Sequence, residues 1–447
     1  MNVKKNYSLK YPKIVAAGFA IIILLGSVLL TLPISSKQGS VAYIDALFTA
    51  TSATCITGLV PFDTFSSWSV FGQLVILCLI QLGGLGFITV LSLFVNFFRK
   101  RMSLKYKMLL KESVGSFHLS EVKGLVKTVI IFTASCELIG TVLLAIRFVP
   151  LTNLKRGIYM AVFTSVSAFC NAGFDLMGVF SPSSSLTTVN NDPIILLTIS
   201  ALVIFGGIGF IVWQDLKDKR FKLKLLSVHS KLVLSATAVL LLGGMILFFI
   251  FEYNYSFKDM NFGSKLLNSF FCSVTPRTAG FNSVEIREMN PVSQMLTTIL
   301  MFIGGSSGST AGGVKTTTIA VLLLCVVANL RNRDEIVVFN YWIALDTVKR
   351  AISVTLTNLS EIFIGIIIIT LVQSEFSLSD VVFECFSAMG TVGITTGITP
   401  NLNTVSQIVI IILMYIGRLT SLIFALSFVV VKPKTTTQKL KGEFMVG

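Results

Sequence analysis

Four glycines along the chain each close a short run whose main-chain oxygens could bind a bare cation. Gly58, Gly173, Gly280 and Gly393 each lie ten residues after a phenylalanine, and they are 115, 107 and 113 residues apart. Selection of an ion by backbone carbonyls requires a short extended run with one residue at positive φ, so that the carbonyls turn inward, and glycine supplies that residue. The candidate ion-binding runs are Cys55, Ile56, Thr57 and Gly58; Cys170, Asn171, Ala172 and Gly173; Arg277, Thr278, Ala279 and Gly280; and Gly390, Thr391, Val392 and Gly393.

The residues before these glycines repeat as well. Ser52, Ser167 and Ser387 stand six residues before three of the glycines, whereas Val274 takes that place before the other one. A single glycine after a Ser/Thr-rich helix is often an ordinary turn, but four copies in register favour one unit repeated four times. A repeat of this length is too long for a solenoid and fits a membrane hairpin. The four runs are therefore interpreted as the four quarters of one pore.

The composition indicates a polytopic membrane protein. Of 447 residues, 53% are apolar and 13% are charged, the latter about half the charged fraction of an ordinary soluble domain, and the mean hydropathy is +0.84. The net charge of +15 comes mainly from five short segments, which the positive-inside bias assigns to the cytoplasm: 1–13, 99–111, 217–231, 331–350 and 432–441. Both termini are therefore predicted to be cytoplasmic. This distribution argues against a nucleic-acid partner; the basic segments are expected to meet anionic lipid or, alternatively, to dock a cytosolic protein.

Eight transmembrane segments are needed to connect the cytoplasmic ones. They are predicted at about 11–32, 68–98, 122–148, 193–213, 232–253, 293–330, 352–372 and 404–431. Between the members of each pair lies a Ser/Thr-rich stretch of about a dozen residues, which is too short to cross about 30 Å of hydrocarbon and should dip into the membrane and return. Non-helical backbone at that depth is tolerated only where protein or water covers it, so the four stretches imply a shared interior.

The predicted fold is an all-α polytopic membrane protein with four parallel helix, pore-loop, helix repeats around a central pore, in pseudo-four-fold symmetry. Its predicted boundaries are 1–112, 113–230, 231–340 and 341–447. Each repeat enters and leaves on the cytoplasmic side, as parallel repeats around an axis along the membrane normal require. Glycines in the second helices are interpreted as helix-packing positions rather than a dinucleotide-binding motif; they are Gly83, Gly86, Gly206 and Gly209.

Small residues interrupt the sixth segment, and they are poor helix formers. The predicted gate consists of Gly304, Gly305, Ser306, Gly308, Ser309, Thr310, Gly312, Gly313 and Lys315, together with Arg418. A phosphate-binding loop is disfavoured because Val314 separates the last glycine from the lysine and a membrane segment precedes the loop. A packing seam of small residues is the alternative.

Arg418 lies in the middle of the eighth segment, where a charge is costly unless it is paired or wetted. We expect its guanidinium to face the inner cavity and to hydrogen-bond the interrupted segment 304–316. The alternative is a packing salt bridge to Glu384 or to another acid.

The filter runs resemble a known family. Thr-Gly-Leu, Asn-Ala-Gly-Phe, Thr-Pro-Arg-Thr-Ala-Gly-Phe-Asn and Gly-Thr-Val-Gly are similar to the runs of the Trk/Ktr/HKT superfamily of potassium transporters, most closely those of the membrane subunits (KtrB/KtrD type) of bacterial Ktr systems. The similarity extends over about 12–431. Cys55 and Cys170 depart from the family's usual Thr and Asn, which bears on fine selectivity.

The resemblance implies further properties. It implies a bacterial cell-membrane protein that passes K⁺ inward, with K⁺ at the carbonyls of Thr57, Ala172, Thr278 and Thr391 and the segment 304–316 as an intramembrane gate. It also implies activation by Na⁺, a homodimer, and a cytosolic ring of RCK/KTN-type nucleotide-binding subunits. No cofactor is expected in this chain, since K⁺ is its cargo.

Two other function classes are weighed against this interpretation. A secondary transporter for another cation or a small solute would use broken helices at the midplane, which the interrupted sixth segment supports and the parallel repetition opposes. A membrane-embedded enzyme would need a convergent acid–base or metal cluster, for which the candidates at depth are Arg418, Glu384, Glu137 and Glu361. His118 and His229 lack neighbouring ligands in the sequence, and the seven cysteines are expected to be free thiols. We therefore predict that the chain is not an enzyme.

Overall fold

The computed structural model describes residues 10–86, 122–333 and 335–419, and this part of the chain is predominantly α-helical. The helices are α1 (Lys10–Thr31), α2 (Tyr43–Thr54), α3 (Thr64–Ser67), α4 (Val70–Leu85), α5 (Val122–Leu151), α6 (Leu154–Cys170), α7 (Pro193–Ile208), α8 (Phe210–Asp218), α9 (Val228–Glu252), α10 (Phe262–Val274), α11 (Pro291–Phe302), α12 (Thr316–Leu330), α13 (Leu345–Val372), α14 (Leu378–Gly390) and α15 (Thr404–Leu419). A short antiparallel hairpin, β1 (Val337–Val338) with β2 (Tyr341–Trp342), precedes α13.

Four helices in the described residues are each long and apolar enough to cross a membrane: α1 from Lys13, α5 from Lys127, α9 and α13. The bent pair α7 and α8 passes the same test when taken together, whereas α4, α11, α12 and α15 are shorter apolar helices. The segments predicted over 68–98 and 404–431 continue beyond Gly86 and Leu419 into residues outside the described part of the chain. The basic segments 99–111 and 432–441 and His118 also lie outside it.

The segment predicted over 193–213 consists of two helices, α7 and α8, with a sharp bend between them. Asp192 caps the start of α7, since its carboxylate accepts the Ile194 N–H at 3.0 Å and Pro193 takes the first turn. The helix ends at Ile208, where Gly209 adopts φ +103°, and α8 leaves at 88° to it. The Phe210 N–H donates to the Gly308 carbonyl at 2.9 Å instead of continuing the helical ladder. The turn therefore serves a contact with the interrupted sixth segment.

Each of the helices that precede a candidate run is surrounded by its neighbours. Helix α2 packs between α1 and α4, α6 against α5 and α7, α10 against α9, and α14 against α13 and α15. The amino ends of three of them are capped by a side chain, namely Asn153 for α6, Asn261 for α10 and Ser377 for α14.

The repeated phenylalanines belong to the apolar core between the helices. Phe48 and Phe163 are fully buried and Phe383 is 3% exposed, whereas Phe270 is only partly buried. Phe48 packs in one apolar cluster with Ile362 and Ile410 of the fourth repeat. The core is therefore shared between repeats.

Glycines of the second helices make close contacts of the predicted kind in three repeats. A Cβ built on Gly83 would overlap the Thr54 carbonyl, one on Gly206 the Phe169 carbonyl, and one on Gly417 the Met389 carbonyl. These carbonyls belong to the last turns of α2, α6 and α14. Gly86, in contrast, ends α4 at φ +79°, and a Cβ built on it would meet no atom within 4 Å in the described part of the chain.

Candidate functional site

The four glycines that end the candidate runs meet in a closed ring. A Cβ built on Gly58 would lie 2.7 Å from the Ala172 oxygen, and one on Gly173 would lie 2.9 Å from the Gly280 Cα. A Cβ on Gly280 would lie 2.5 Å from the Val392 oxygen, and one on Gly393 would lie 2.7 Å from the Gly58 Cα. All four φ angles are positive, between +72° and +99°. Any other residue would meet both strain and the main chain of the neighbouring run.

A second residue in each run also adopts a positive φ. These residues stand two positions before the glycines: Ile56 (+54°), Asn171 (+60°), Thr278 (+73°) and Thr391 (+50°). Main chain that alternates between positive and negative φ can direct successive carbonyl oxygens to the same side, as ligation of ions in single file requires. This second positive φ was not predicted from the sequence. Asparagine is enriched in this conformation, but isoleucine and threonine give no such signal.

Two of the repeated serines brace the runs that follow them. The Ser52 carbonyl accepts the Thr57 N–H at 2.8 Å, and its hydroxyl accepts the Gly58 N–H at 3.0 Å. Ser387 repeats this arrangement, with 2.9 Å to the Val392 nitrogen and 3.1 Å to the Gly393 nitrogen. The third serine, Ser167, accepts through its carbonyl only, and its hydroxyl has no partner within the described residues.

The run that lacks the serine is held by the next residue. The Thr275 carbonyl accepts the Ala279 N–H at 2.9 Å, and its hydroxyl donates to the Phe281 carbonyl at 2.6 Å. The Arg277 side chain is 5% exposed and donates to the Thr237 hydroxyl of α9 at 3.3 Å. Its charge is therefore turned toward α9, and Arg277 belongs to the run through its main chain.

A polar cavity opens at the ends of the runs, and we call it the vestibule. It has a volume of about 360 Å³ and is lined by the four ring glycines together with Asp63, Asp175, Glu285, Arg287, Asn282, Thr395, Thr396 and neighbouring residues. Three acids face one cation there, so the walls favour a positively charged solute. Burial raises the pKa of the Asp175 carboxyl to about 6; the charge of Asp63 adds to this rise, while hydrogen bonds from Met177 and Ser185 oppose it.

The break in the sixth segment forms a loop, residues 303–315, between α11 and α12. This loop lies against the first residues of the runs. Its ends are paired, with the Gly304 N–H donating to the Val314 carbonyl at 2.8 Å. The Ser306 N–H donates to the Gly207 carbonyl of α7 at 3.0 Å. Gly312 and Gly313 approach the fourth run: a Cβ on Gly312 would overlap the Thr391 side chain, and one on Gly313 would lie 3.1 Å from the Gly390 oxygen.

Two basic side chains donate hydrogen bonds to carbonyls of this loop. The Arg418 guanidinium donates to the Thr310 carbonyl and to the Gly83 carbonyl at the end of α4. The Lys315 ammonium donates to the Ala311 carbonyl at 2.7 Å and to that of Gly312 at 3.3 Å. Arg418 thus joins the first, third and fourth repeats. The predicted gate residues lie together: Gly304, Gly305, Ser306, Gly308, Ser309, Thr310, Gly312, Gly313, Lys315 and Arg418.

Glu384 has other partners than the arginine. Its carboxylate accepts from the Thr395 hydroxyl at 2.7 Å and from the Thr399 hydroxyl. In the described part of the chain, no ion pair joins it to Arg418. From the sequence, Glu384 was expected only as a salt-bridge partner of Arg418 or as a candidate for enzyme chemistry.

Comparison with known proteins identifies the family. The TrkH family of cation transport proteins matches residues 6–440. The chain is 42% identical to the Ktr system potassium uptake protein B of Bacillus subtilis, over 96% of each chain. It is 41% identical to the potassium/sodium uptake protein NtpJ of Enterococcus hirae, over 91% of this chain and 90% of that one.

A solved structure shares the fold. The potassium transporter TrkH from Vibrio parahaemolyticus superposes with a TM-score of 0.71 at 16% identity, covering 93% of this chain and 85% of the other. The relatives named above are transporters, not enzymes. The chain therefore belongs to the TrkH family of cation transport proteins.

Proposed function

We propose that this chain is the ion-translocating membrane subunit of a bacterial K⁺ uptake system and that it conducts K⁺ inward past the glycine ring. The observation that carries the proposal is the convergence of four main-chain runs from unlike parts of the chain on one ring. Carbonyl oxygens in such a ring replace the hydration shell of the ion. The printed functions of two relatives, potassium uptake and potassium/sodium uptake, support the choice of cation.

The ligands are proposed to lie in layers along the axis. The oxygens one residue before the glycines are close to the ring: a Cβ on Gly58 would contact that of Ala172, and one on Gly280 would contact that of Val392. Thr57 and Ala172 take this place in their runs, whereas Thr278 and Thr391 stand one residue earlier. The four carbonyls expected from the resemblance therefore belong to two neighbouring layers, and K⁺ is proposed to occupy both.

The membrane potential supplies the driving force in this proposal. It amounts to about 2.3 kcal/mol per charge for 100 mV, and since about 1.4 kcal/mol is tenfold, this corresponds to roughly fifty-fold accumulation. The three acids of the vestibule raise the local cation concentration before the ion reaches the ring.

Loop 303–315 is proposed as the gate. It contacts the fourth run through Gly312 and Gly313, and the side chains of Arg418 and Lys315 donate hydrogen bonds to its carbonyls. A fixed positive charge beside the path opposes a permeating cation until the loop moves. The close packing of Gly304 on Gly312 also fits the alternative of a packing seam, and substitution of Arg418 separates the two.

The remaining proposals concern topology and partners. Eight membrane crossings in four parallel repeats with cytoplasmic termini would require four further segments each to count as one crossing beside the four long helices. These are the predicted segment 68–98, which includes α4, the bent pair α7 and α8, the pair α11 and α12, and the predicted segment 404–431, which includes α15. A homodimer, a separate RCK/KTN-type regulatory ring, contact with anionic lipid and activation by Na⁺ are proposed from the resemblance. The printed name of a relative, a protein of a Ktr system, supports a separate subunit.

The test is complementation of a bacterium that lacks its own K⁺ uptake, grown on limiting K⁺. Wild type should restore growth, and Gly58→Ser should relax discrimination between K⁺ and Na⁺. Gly58→Asp should abolish growth, because it adds bulk and a charge against the Ala172 carbonyl. Failure of the wild type at normal membrane expression would contradict the proposal.

The second candidate is a secondary transporter for another cation or small solute, favoured by the broken sixth segment. Isotope uptake separates the two functions. Competition by K⁺ and Rb⁺ supports the channel-like function, whereas competition by an organic solute supports the transporter.

A further inference from the structure

Glu384 is an acid buried in one repeat only. It follows Phe383 in α14 and is fully buried. The equivalent positions, one residue after the other three phenylalanines, hold Thr49, Thr164 and Phe271. Burial of a carboxyl is expensive unless its oxygens are satisfied. An ion path made of main-chain oxygens does not require it, so its role lies elsewhere.

Both oxygens of Glu384 hold the segment that leaves the fourth run. We call this segment, residues 394–399, the outer strap. The Thr395 hydroxyl donates to one oxygen at 2.7 Å, and the Thr399 hydroxyl donates to the other. The Gly397 N–H donates to the Thr395 hydroxyl oxygen at 2.9 Å, which closes the turn between them. The acid therefore fastens the strap to the helix beneath it.

A second anchor comes from the third repeat. The Arg287 guanidinium donates to the Thr396 carbonyl, and it lies 3.5 Å from the position that a Cβ on Gly397 would take. Arg287, Thr396 and Gly397 all line the vestibule. The strap is thus held from the core side by Glu384 and from the vestibule side by Arg287.

We propose that Glu384 is a positioning residue that sets cation selectivity by fixing the fourth run through the outer strap. The strap begins directly after Gly393, whose Cα faces the Thr57 oxygen, and the preceding Val392 oxygen faces Gly280. Both neighbours are in close contact, so a small shift of the fourth run changes its spacing from the first and third runs. The inference rests on the proposed cation-conducting function.

The experiment compares Glu384→Ala, Glu384→Gln, Thr395→Val and Thr399→Val with Thr164→Val in the full-length protein. Thr164 is the matched control, since it takes the equivalent position in α6, is fully buried and has no partner for its hydroxyl within the described residues. Uptake of K⁺, Rb⁺ and Na⁺ is measured in cells. Thermal unfolding of the purified protein is measured in KCl, NaCl and choline chloride, because a cation that binds the folded state raises its stability.

Wild type is expected to prefer K⁺ in both measurements. Glu384→Ala should reduce the preference for K⁺ over Na⁺ by about tenfold, each threonine variant should reduce it by a smaller factor, and Glu384→Gln should retain most of it. The combined Glu384→Ala and Thr399→Val variant should lose no more than Glu384→Ala alone, because the two residues act through one contact.

The outcomes separate the two proposals. Unchanged selectivity of Glu384→Ala, Thr395→Val and Thr399→Val beside a K⁺-selective wild type overturns the role of Glu384 and leaves the proposed function intact. An equal loss in Thr164→Val overturns it too, since general disturbance of the buried helices would then explain the effect. A wild type that shows neither cation uptake nor a cation-dependent unfolding temperature overturns both.

Discussion

The glycine ring and loop 303–315, at the two ends of the candidate ion path, differ in how many repeats contribute to them. At the glycine ring, the four repeats contribute similar parts: a glycine at positive φ, a second positive φ two residues earlier, and a carbonyl brace from the preceding helix or from the residue directly after it. At the other end, loop 303–315 comes from the third repeat alone and Arg418 from the fourth alone. A ring of ligands around one axis needs four similar quarters, whereas an obstruction needs one.

Because of this difference, the ring and the loop leave different signals in a single sequence. The repeated part is visible as a spacing, because each copy must satisfy the same backbone geometry. The unrepeated part is visible only as an anomaly, which here is a run of small residues and a charge in apolar surroundings. Variants that disturb one end without the other test whether the ring and the loop have separate roles.

The largest effect is expected for Gly393→Ala. A Cβ there would overlap the Thr57 oxygen, and φ is +90°. Strain of this kind costs about 1–3 kcal/mol, so K⁺ uptake should fall by at least about tenfold. Gly39→Ala is the matched control, because Gly39 has a similar φ of +86° and a Cβ there would meet no atom within 4 Å among the described residues. Equal losses in the two variants would mean that backbone strain, and not the closed ring, limits transport.

At the other end, Arg418→Gln should increase flux. The change removes a positive charge and the bonds to the Thr310 and Gly83 carbonyls, which as charge-assisted bonds are worth about 1.5–3 kcal/mol each. Initial Rb⁺ uptake should rise up to about tenfold with K⁺/Na⁺ discrimination retained, since the ring is untouched.

Arg147→Gln is the control for this second prediction. The Arg147 side chain is 44% exposed and pairs with Asp192 at 2.5 Å, away from the loop. Unchanged flux of Arg418→Gln at normal expression would favour the packing-seam alternative for loop 303–315.

Ser387 and Ser167 occupy equivalent positions in the sequence, but their hydroxyls should differ in their effect on ion selectivity. Ser387→Ala removes the acceptor of the Gly393 N–H, and a buried donor without a partner costs about 1–3 kcal/mol. K⁺/Na⁺ selectivity should fall by about three- to tenfold. Ser167→Ala should change it little, because the Ser167 hydroxyl has no partner within the described residues. Ion competition measured on both variants checks this, and equal effects would show that the hydroxyl is not the brace.

Much of the ring could be predicted from the sequence and much of its support could not. Glycine spacing locates the four runs because only glycine tolerates the contacts at those positions. The positive φ of Ile56 leaves no trace, since isoleucine normally avoids that conformation and tertiary packing imposes it. Val274 marks the exceptional run, but the replacement brace, Thr275, lies one residue later and is visible only in three dimensions.

The ends of helices were also difficult to predict from the sequence. Over 193–213 the glycines Gly206, Gly207 and Gly209 are compatible with a break near Ile208, but the apolar residues on both sides of them favour a single membrane segment. The stop depends on the Gly308 carbonyl of a loop a hundred residues away. Glu384 presents the same difficulty, since its threonine partners stand 11 and 15 residues later, beyond the filter run.

The smallest effect is expected in the vestibule, where Asp175 should make uptake sensitive to pH. Its pKa is raised to about 6, so the carboxyl is charged at neutral pH and binds a proton as the pH falls through 6. At low K⁺ and low ionic strength, wild-type uptake should then fall about twofold, and less at high salt because the field is screened. Asp175→Asn should start at the lower rate and stay flat across this range, while Asp259→Asn, at an exposed site, should behave like wild type. Should Asp175→Asn keep the wild-type pH profile, another group would be responsible, and the vestibule would act through its shape and not through this charge.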